Sequence, residues 1–549
     1  MKKFLAILLA LTILLGLCAC GGGGEKGSEG KVDESGRITF EIGIPTNAKI
    51  MSLDENALTR WLEDKCNVNI KFVEYAGGTD VATQISTTVA ARQDLPDILY
   101  GVSINANAIT SYGKDGYFVD LTPYYEDREG ASKIFWDRLE ESLTEDQRDY
   151  VVRTITNGDT GCIYTVPTIE TSTIDKRKYQ PWINTKWLEK CGLEMPQNID
   201  DLYNVLKTFK EKKPGGDNTI PLFGSEKAGG SAGVADWLMN MFIYFHADHR
   251  WQDYNGDGQL EFVYTQEAYR EGLKFINKLY EEGLLSNMVY TASSSDMKPI
   301  ITPTSGEAMV GVFCGHLTIH ATMGNEVLYD YAPMPLWGYA VEGDMSCSQT
   351  TFITDSCPEE FRDEAFNLLM TLFSWEGSMR VRYGEYKVNW DDADPGTKSD
   401  MGLDAVYKLI SDPLTQQNTA HWGKIASCFN HYAEGETAQI ADDMDEWTKR
   451  KSAMHAESRR IFEEAQKNNP ENTCPTLIYT EAEKEQIDMI TTNINKLVST
   501  AETAFITGIG DYDITKDADW EKFQKQMKEM GLDEYQKVVQ TAYDRQKNG

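Results

Sequence analysis

The segment DYNGDGQLE at residues 253–261 has the spacing of a loop that wraps its side chains around a cation. Asp253, Asn255 and Asp257 occupy positions 1, 3 and 5 of such a loop, and Gly258 occupies position 6, where the backbone turns sharply. Ca²⁺ prefers about six to eight oxygen ligands, which this spacing can gather at one point. The predicted ligands are Asp253, Asn255, Asp257, the main-chain carbonyl of Gln259 and the carboxylate of Glu261.

Position 12 of the same loop weakens the calcium prediction, because Tyr264 stands where a standard loop has a bidentate glutamate. Glu261, or Glu267 further along the chain, would have to supply the missing oxygens. The alternative interpretation is an Asx/Gly turn that leads into the strand LEFVY and binds no metal. If the loop does bind Ca²⁺, we expect the ion to stiffen the fold.

Motifs for catalysis are weak in this sequence. It has neither the H-E-x-x-H zinc motif nor a G-x-x-x-x-G-K-[ST] phosphate loop, and its seven histidines are dispersed. Acidic residues number 86, so adjacent carboxylates are most simply solvated surface, although a glycosidase pair could be hidden among them. The sequence therefore favours binding over catalysis.

The composition limits the partners that the protein can have. The formal net charge is −33, and so acidic a surface repels phosphate backbones, which predicts no nucleic-acid partner. With 549 residues, of which 41% are hydrophobic, the chain can form two or more domains.

The elements that would position these residues begin with alternating strands and helices. ITFEIGIP and NVNIKFVEY read as strands, whereas ENALTRWLEDKC and TDVATQISTTVAARQ have helical spacing. With DLPDILYG as a third strand, the order is β-α-β-α-β, which predicts an α/β fold that opens with a parallel sheet. Asn198 is a predicted helix N-cap, and from about residue 358 onward helical patterns dominate.

The first residues have the order of an export signal. Lys2 and Lys3 precede an apolar run that is too short to span a bilayer, and small residues follow. Leu17-Cys18-Ala19-Cys20 resembles the lipobox of bacterial lipoproteins, which implies cleavage before Cys20 and a lipid on that cysteine. Residues 1–19 are then the signal peptide and residues 20–37 a lipidated flexible tether, the alternative being an ordinary secretory signal.

Several segments along the chain together resemble one protein family. In their order along the chain, they resemble segments of the extracellular solute-binding proteins of carbohydrate ABC importers, in particular those of a large Firmicute lipoprotein subfamily. The segments are LPDI at 95–98, IYTVP at 163–167, PWINTKWLEKCGLEMPQNIDDLYNVLKTFK at 181–210, FINKLYEEGLL at 275–285 and the ending 504–545. Asn184 and Lys186 stand where the family pattern has Arg and Asp, so the family's salt-bridging role at these positions is not carried over to this chain.

This resemblance implies a fold and a function. The expected fold is α/β, a two-lobed type-II periplasmic-binding-protein fold with a hinge and an α-rich C-terminal extension. We expect residues 38–165 with about 300–350 in the N-lobe, and residues 166–299 with about 351–549 in the C-lobe. The resemblance implies a lipid-anchored monomer on the extracellular face of the membrane of a Gram-positive cell. This protein would bind an oligosaccharide between its lobes and deliver it to permease subunits. Some alginate-binding relatives carry a similar calcium loop, which supports the loop prediction.

Sugar binding requires flat apolar faces and a few fixed polar groups. We expect these at strand ends and in loops, with Trp337 as the strongest stacking candidate because Pro335 and Gly338 flank it. For any single aromatic residue, core packing is the commoner explanation. The predicted ligand-binding residues are Asp97, Tyr100, Trp237, His316, Trp337 and Trp390.

Two other functions stay open at the sequence level. One is a surface enzyme that acts on polysaccharide, which would need two carboxylates facing one cleft. The other is a lipoprotein that binds peptide or serves a sensor. The eight cysteines beyond Cys20 form no CxxC pair, so their disulfide state cannot be read from the sequence.

Overall fold

The computed structural model describes residues 31–548, except 77–79, 172–176, 230, 247–248, 344, 414–416, 424, 431–435, 472, 475–476 and 478. The described chain forms two compact units. Unit 1 contains the residues up to Ile169 together with Cys347–Glu385 and Gln416–Phe429; unit 2 contains Glu170–Ser346, Tyr386–Thr415 and Asn430–Gly549. The predicted signal peptide and Cys20 lie outside the described residues.

Unit 1 is built on a sheet with the strand order β12-β3-β1-β2. Strand β1 (Ile38–Pro45) pairs in parallel with β2 (Val68–Tyr75) over its full length, and β3 (Ile98–Leu99) joins its other side in parallel. Strand β12 (Phe352–Ile353) closes the sheet in antiparallel orientation. The predicted β-α-β-α-β opening is confirmed, although the third strand is only two residues long.

Helices surround this sheet. The helix α12 packs on α1 and α5, which buries the apolar face of each against the unit 1 core. The bounds are α1 Ala57–Cys66, α2 Asp80–Ala90, α3 Ala106–Lys114, α4 Thr122–Glu126, α5 Lys133–Ser142, α6 Glu145–Ile155, α12 Arg362–Phe373 and α13 Trp375–Tyr383.

Unit 2 is built on a second sheet, with the order β10-β5-β9-β6. Strands β6 (Ile220–Phe223) and β9 (Val310–Cys314) are parallel, whereas β5 (Pro181–Asn184) is antiparallel to β9 and to β10 (Tyr331–Pro333). A hairpin of β7 (Trp251–Gln252) and β8 (Glu261–Phe262) and a small sheet of β13 (Trp390–Asp392), β14 (Tyr407–Leu409) and β16 (Ala438–Ile440) complete its strands.

The helices of unit 2 confirm the predicted α-rich C-terminal part. The helix α10 packs along α15, and α15 packs on α16 and α17 around one large apolar core. Asn198 caps α8 as predicted, its side chain accepting from the Asp201 N–H at 2.9 Å. The bounds are α7 Thr185–Cys191, α8 Ile199–Lys212, α9 Val234–Met239, α10 Glu267–Glu281, α11 Ser294–Ile301, α14 Glu446–Gln466, α15 Glu481–Thr507, α16 Asp517–Glu529 and α17 Leu532–Asn548.

The two units divide the chain differently from the predicted lobes. Residues 300–346, predicted for the N-lobe, belong to unit 2, because β9 hydrogen-bonds to both β5 and β6 in the middle of the unit 2 sheet. Residues 347–385 belong instead to unit 1, because β12 pairs with β3. The chain passes between the units inside the short strands β4 (Thr168–Glu170), β11 (Ser346–Ser348) and β15 (Phe429–Asn430) and at two further points.

Two properties of the whole chain concern the membrane and the cysteines. Every helix in the described part is too short or too polar to cross a bilayer. The eight cysteines of the described residues form no disulfide, and five of them are buried: Cys191, Cys314, Cys357, Cys428 and Cys474.

Candidate functional site

One edge of the unit 2 sheet collects the ends of four strands. Because β6, β9 and β10 run in the same direction and β5 runs against them, the carboxyl ends of the first three strands and the amino end of β5 meet there. In open α/β sheets, ligands bind at the carboxyl ends of the strands. We call this edge, with the loops that leave it, the unit 2 edge.

Hydrogen bonds tie the loops of the unit 2 edge together. The Gly315 N–H after β9 donates to the carbonyl of Gln180 before β5 at 2.9 Å. In the loop after β6, the Ser231 hydroxyl donates to the carbonyl of Arg177 at 2.9 Å. These hydrogen bonds therefore connect three separate chain segments, although Arg177 and Gln180 are themselves buried.

Three carboxyl groups lie together beside the loops of the unit 2 edge. The carboxylate of Glu226, just after β6, accepts the Ala235 N–H at 2.7 Å at the start of α9. Tyr269 donates its hydroxyl to Glu502 at 2.6 Å, and Tyr179 contacts Asp236 at 3.5 Å. We call Glu226, Asp236 and Glu502 the acid cluster.

Burial and mutual repulsion change the protonation of the acid cluster. Burial, followed by the charge of Asp236, raises the pKa of Glu226 well above its usual range. Burial also raises the pKa of Glu502, although the hydroxyl of Tyr269 opposes the shift. The cluster can therefore hold a proton at a pH where isolated carboxylates are charged.

A histidine and arginine group lies at the same edge. His316, directly after β9, accepts at Nδ1 from the Thr318 hydroxyl at 2.8 Å, and its ring centre is 5.8 Å from that of His455. His455 Nδ1 lies 3.1 Å from Nη2 of the buried Arg177. Burial and the neighbouring His316 lower the pKa of His320 to about 4, so this ring stays neutral at physiological pH.

Trp337 lies in the loop that follows β10. It is partly buried and packs against the apolar core. Its indole N–H is buried, and within the described part of the chain it meets no hydrogen-bond acceptor. A flat, partly exposed ring suits a sugar, so its stacking role stays a prediction.

Trp237 and Trp390 do not fit their predicted role. Trp237 lies on α9 but is only 3% exposed, because its ring packs into the large core of unit 2. Trp390 is 1% exposed in β13, where its ring contacts Tyr386 with centres 4.7 Å apart. Both rings therefore stabilise the fold and present no face to a ligand.

Asp97 and Tyr100 of unit 1 are also buried. Asp97 forms a salt bridge with Lys31 and accepts the Glu41 N–H at 2.8 Å, so its carboxylate is used to hold the start of the unit. The Tyr100 ring is fully buried against Trp422, and its hydroxyl donates to the Ala426 carbonyl at 2.8 Å. The burial of both side chains does not favour the predicted roles, which are hydrogen bonding to sugar hydroxyls for Asp97 and sugar stacking for Tyr100.

The predicted calcium loop connects β7 to β8. Asp253 accepts main-chain N–H groups from Asp257 at 3.1 Å and Gly258 at 2.9 Å, and Asn255 donates to Glu261 at 2.9 Å. Gly258 has a φ of +84°, which a side chain would make unfavourable. The oxygen-rich residues thus fit Ca²⁺ by their chemistry.

The described residues contain no group of three His, Cys, Asp or Glu side chains that could hold a metal ion. A calcium site in this loop would therefore depend on the Asn255 amide and main-chain carbonyls as well as the acids. Tyr264 at position 12 is buried in the core, so it leaves the ligand set short as the sequence predicts.

Ser231 lies in a G-x-S-x-G arrangement at residues 229–233, a spacing that carries the nucleophile in many hydrolases. Its φ is +72°. Its hydroxyl, however, donates to a main-chain carbonyl, and in the described chain no histidine hydrogen-bonds to it. An activated serine needs an adjacent base, so this arrangement does not support a nucleophile.

Unit 2 also has a groove along β10 and α14. It encloses about 630 Å³, a volume within the range of small-ligand clefts. Arg450 crosses it and donates to the main-chain carbonyls of Tyr329 and Tyr331. The exposed ring of Tyr329 gives this groove an aromatic wall.

Sequence reasoning missed the acid cluster, Tyr179, Arg177 and the groove residues. Glu226 and Asp236 are ten residues apart and Glu502 is far along the chain, so no local spacing connects them. Only the signal that Glu226 follows a buried strand could have pointed to one of them.

Comparison with known proteins supports this description. A family model for bacterial extracellular solute-binding proteins matches residues 47–374. FusA, the fructooligosaccharide ABC transporter substrate-binding protein of Streptococcus pneumoniae, is 23% identical over 565 aligned positions, which cover 98% of this chain and 97% of FusA. Lipoprotein LipO of Bacillus subtilis is 28% identical over 288 residues, which cover 52% of this chain and 51% of LipO.

Solved structures share the fold at low identity. FusA in complex with kestose has a TM-score of 0.66 at 19% identity and covers 93% of this chain and 100% of its own. A FusA EF-hand mutant in complex with fructo-nystose has a TM-score of 0.66 at 18% identity, with the same coverage. A solute-binding protein of Bifidobacterium longum infantis that binds human milk oligosaccharides (HMO) also reaches 0.66 at 18% identity, covering 93% of this chain and 99% of its own.

These structures establish the two-lobed α/β fold. The family model spans more than half of the chain, and its match runs from the first sheet of unit 1 through the unit 2 edge and into the helix α12. The chain belongs to the bacterial extracellular solute-binding proteins.

Proposed function

We propose that this protein captures an oligosaccharide outside the cell and delivers it to the permease subunits of an ABC importer. The observation that carries the proposal is the end-to-end similarity to FusA, which covers 98% of this chain. Two features support this proposal: the partly exposed Trp337 ring in the loop after β10, and the carboxyl groups of the acid cluster, which can accept hydrogen bonds from hydroxyl groups. No bond of the sugar is broken in this function.

The test is calorimetric titration of the soluble body, residues 27–549, with a panel of fructans, human-milk-type, plant and microbial oligosaccharides, and with peptides as controls. We expect micromolar or tighter binding to one glycan series, with the glycan recovered uncut. Slow cleavage would instead support the surface enzyme, for which the acid cluster would have to supply both carboxylates. Heat from peptides alone would support a peptide-binding or sensor lipoprotein.

We also propose that the loop of residues 253–261 binds Ca²⁺ as a structural ion. The specific support is the occurrence of an EF-hand in FusA, which shares this fold, together with the oxygen-rich loop of this chain. Asp253, Asn255, Asp257, Gln259 and Glu261 would hold the ion. When bound, Ca²⁺ supplies a rigid centre that replaces flexible loop contacts.

We propose further that Cys20 carries the lipid that keeps the protein at the outer face of the membrane. LipO, to which part of the chain is similar, is a lipoprotein. Intact-mass measurement of membrane-extracted protein should show the added mass of a diacylglyceryl group on the wild-type protein and not on Cys20→Ala. Wild-type protein released to the medium without a lipid mass would contradict the anchor.

A further inference from the structure

The C-terminal helix α17 holds the predicted calcium loop from outside. Leu260, at position 8 of the loop, is fully buried, and both of its main-chain groups are bound by glutamine side chains of α17. Its N–H donates to Gln540 Oε1 at 2.8 Å, and its carbonyl accepts from Gln536 Nε2 at 2.8 Å. The helix thus binds the loop backbone as a neighbouring strand would.

Gln540 makes a second contact to the same loop. Its Nε2 donates to the carbonyl of Gly258 at 2.9 Å and to Asp544 at 2.9 Å. One amide therefore fixes the residues on both sides of Gln259, whose carbonyl is the predicted ligand at position 7. A side-chain amide has one acceptor oxygen and one donor nitrogen, so it can hydrogen-bond to an N–H and to a carbonyl at the same time.

The contacts reach the first ligand as well. The N–H of Gly258 donates to Asp253, so Gly258 is held by a predicted ligand on one side and by Gln540 on the other. Gln524 on α16 adds a bond to the Tyr264 carbonyl at 2.9 Å, at position 12. The loop is consequently shaped by side chains that lie more than 250 residues away in the sequence.

We propose that Gln536 and Gln540 are positioning residues of the calcium loop, so that Ca²⁺ binding is coupled to the docking of α17. The proposal rests on the calcium site proposed above. Calcium affinity depends on how rigidly a loop is held, and groups behind the ligands typically account for about 10–100-fold of metal affinity. Because coupling is reciprocal, Ca²⁺ should tighten the docking of the helix as much as the helix tightens Ca²⁺ binding.

The test compares Gln540→Met with the wild-type soluble body by calorimetric titration of Ca²⁺ into calcium-free protein. Methionine keeps the length of glutamine but cannot form either hydrogen bond, so we expect at least about tenfold weaker binding. The control is Gln84→Met, because the side chain of Gln84 on α2 donates to the Asp80 carbonyl of its own helix at 3.3 Å and belongs to unit 1, away from the loop and from α17. This control should bind Ca²⁺ as wild type does.

A second measurement keeps the test decisive if Gln540→Met is poorly folded. In wild-type protein, Ca²⁺ should slow hydrogen exchange of the α17 amides while leaving the α1 amides of unit 1 unchanged. Equal affinity of Gln540→Met and wild type, or α17 exchange that ignores Ca²⁺, would overturn the coupling and leave the calcium site standing. Wild-type protein that binds no Ca²⁺ would overturn the site itself, and the coupling with it.

Discussion

Glu226 keeps its carboxyl group beside Asp236 at a cost in stability. Since its folded-state pKa is raised, the folded and unfolded chains bind the proton equally below the ordinary value of 4.5. As the pH rises above 4.5, the unfolded chain loses this proton first, so stability falls until the folded-state pKa is reached. At neutral pH the carboxyl therefore destabilises unit 2.

We predict that Glu226→Gln raises the melting temperature at pH 7.5 by roughly 2–4 °C and leaves it unchanged at pH 4.0. The glutamine oxygen can still accept the Ala235 N–H, while the repulsion with Asp236 disappears. Thermal scans at both pH values check this, with Glu194→Gln, an exposed glutamate of the same unit, as the control. A Glu226→Gln protein that is less stable at pH 7.5 would show that the charge is needed by the fold.

Trp337 is the aromatic residue whose role in binding the structure leaves open to a direct test. We predict that Trp337→Ala weakens glycan binding at least about tenfold, because it removes the flat ring on which a sugar would stack. Trp337→Phe should lose less, since it keeps a flat ring. Calorimetry with the identified glycan measures both, and wild-type affinity in Trp337→Ala would contradict the stacking role.

The same substitution at Trp237 should act on stability instead. Its ring is buried in the unit 2 core, so Trp237→Ala is expected to cost about 3–5 kcal/mol of unfolding free energy. Urea denaturation would measure this loss. A stable Trp237→Ala protein with weakened glycan binding would restore Trp237 to the binding residues.

At the scale of elements, the hairpin β7–β8 carries the loop that we propose binds Ca²⁺. We predict that Ca²⁺ at about one hundred times its Kd raises the unfolding free energy by roughly 2.7 kcal/mol, and that a chelator reverses the gain. Asp257→Asn should abolish most of this gain because it removes one ligand charge. Asp217→Asn, whose exposed carboxylate pairs with Lys213, is the matched control. Differential scanning calorimetry measures the effect, and an equal gain in Asp257→Asn would contradict the ligand assignment.

The elements also show how far local pattern reaches. The opening of unit 1 was predictable, because the alternation and helical spacing that define β1, α1, β2 and α2 are read within a few residues. The place of residues 300–346 was not, since β9 finds its partners β5 and β6 about 90–130 positions earlier in the chain. The small sheet β13-β14-β16 was missed for the same reason.

The candidate site was less predictable than the fold. Tyr100 and Trp237 follow strands or begin helices, as ligand-binding aromatics do, yet only tertiary packing decides that their rings are buried. The acid cluster needs three distant segments before its chemistry exists. A motif such as the predicted calcium loop is easier to recognise in the sequence, because all of its predicted ligands lie within one short segment.

At the scale of the whole molecule, stability does not depend on disulfides among the described cysteines. Burial raises the pKa of Cys347, Cys357 and Cys474 to about 12, so these thiols stay protonated and unreactive in the folded protein. We predict that reductant leaves the melting temperature unchanged. A thiol reagent at pH 8 should react slowly with the five buried cysteines until denaturant exposes them. A melting temperature that falls on reduction would reveal a disulfide.

The salt bridge between Lys31 and the buried Asp97 fixes the point at which the chain enters unit 1. If Cys20 is the lipidated residue, the stretch from Cys20 to Lys31 can extend at most about 35–40 Å, at roughly 3.3–3.6 Å per residue. A folded domain on so short a tether stays within a thin layer at the membrane, where its permease lies, rather than diffusing into the surrounding medium. Its effective concentration there is on the order of millimolar, so even a weak docking contact with the permease would be sufficient.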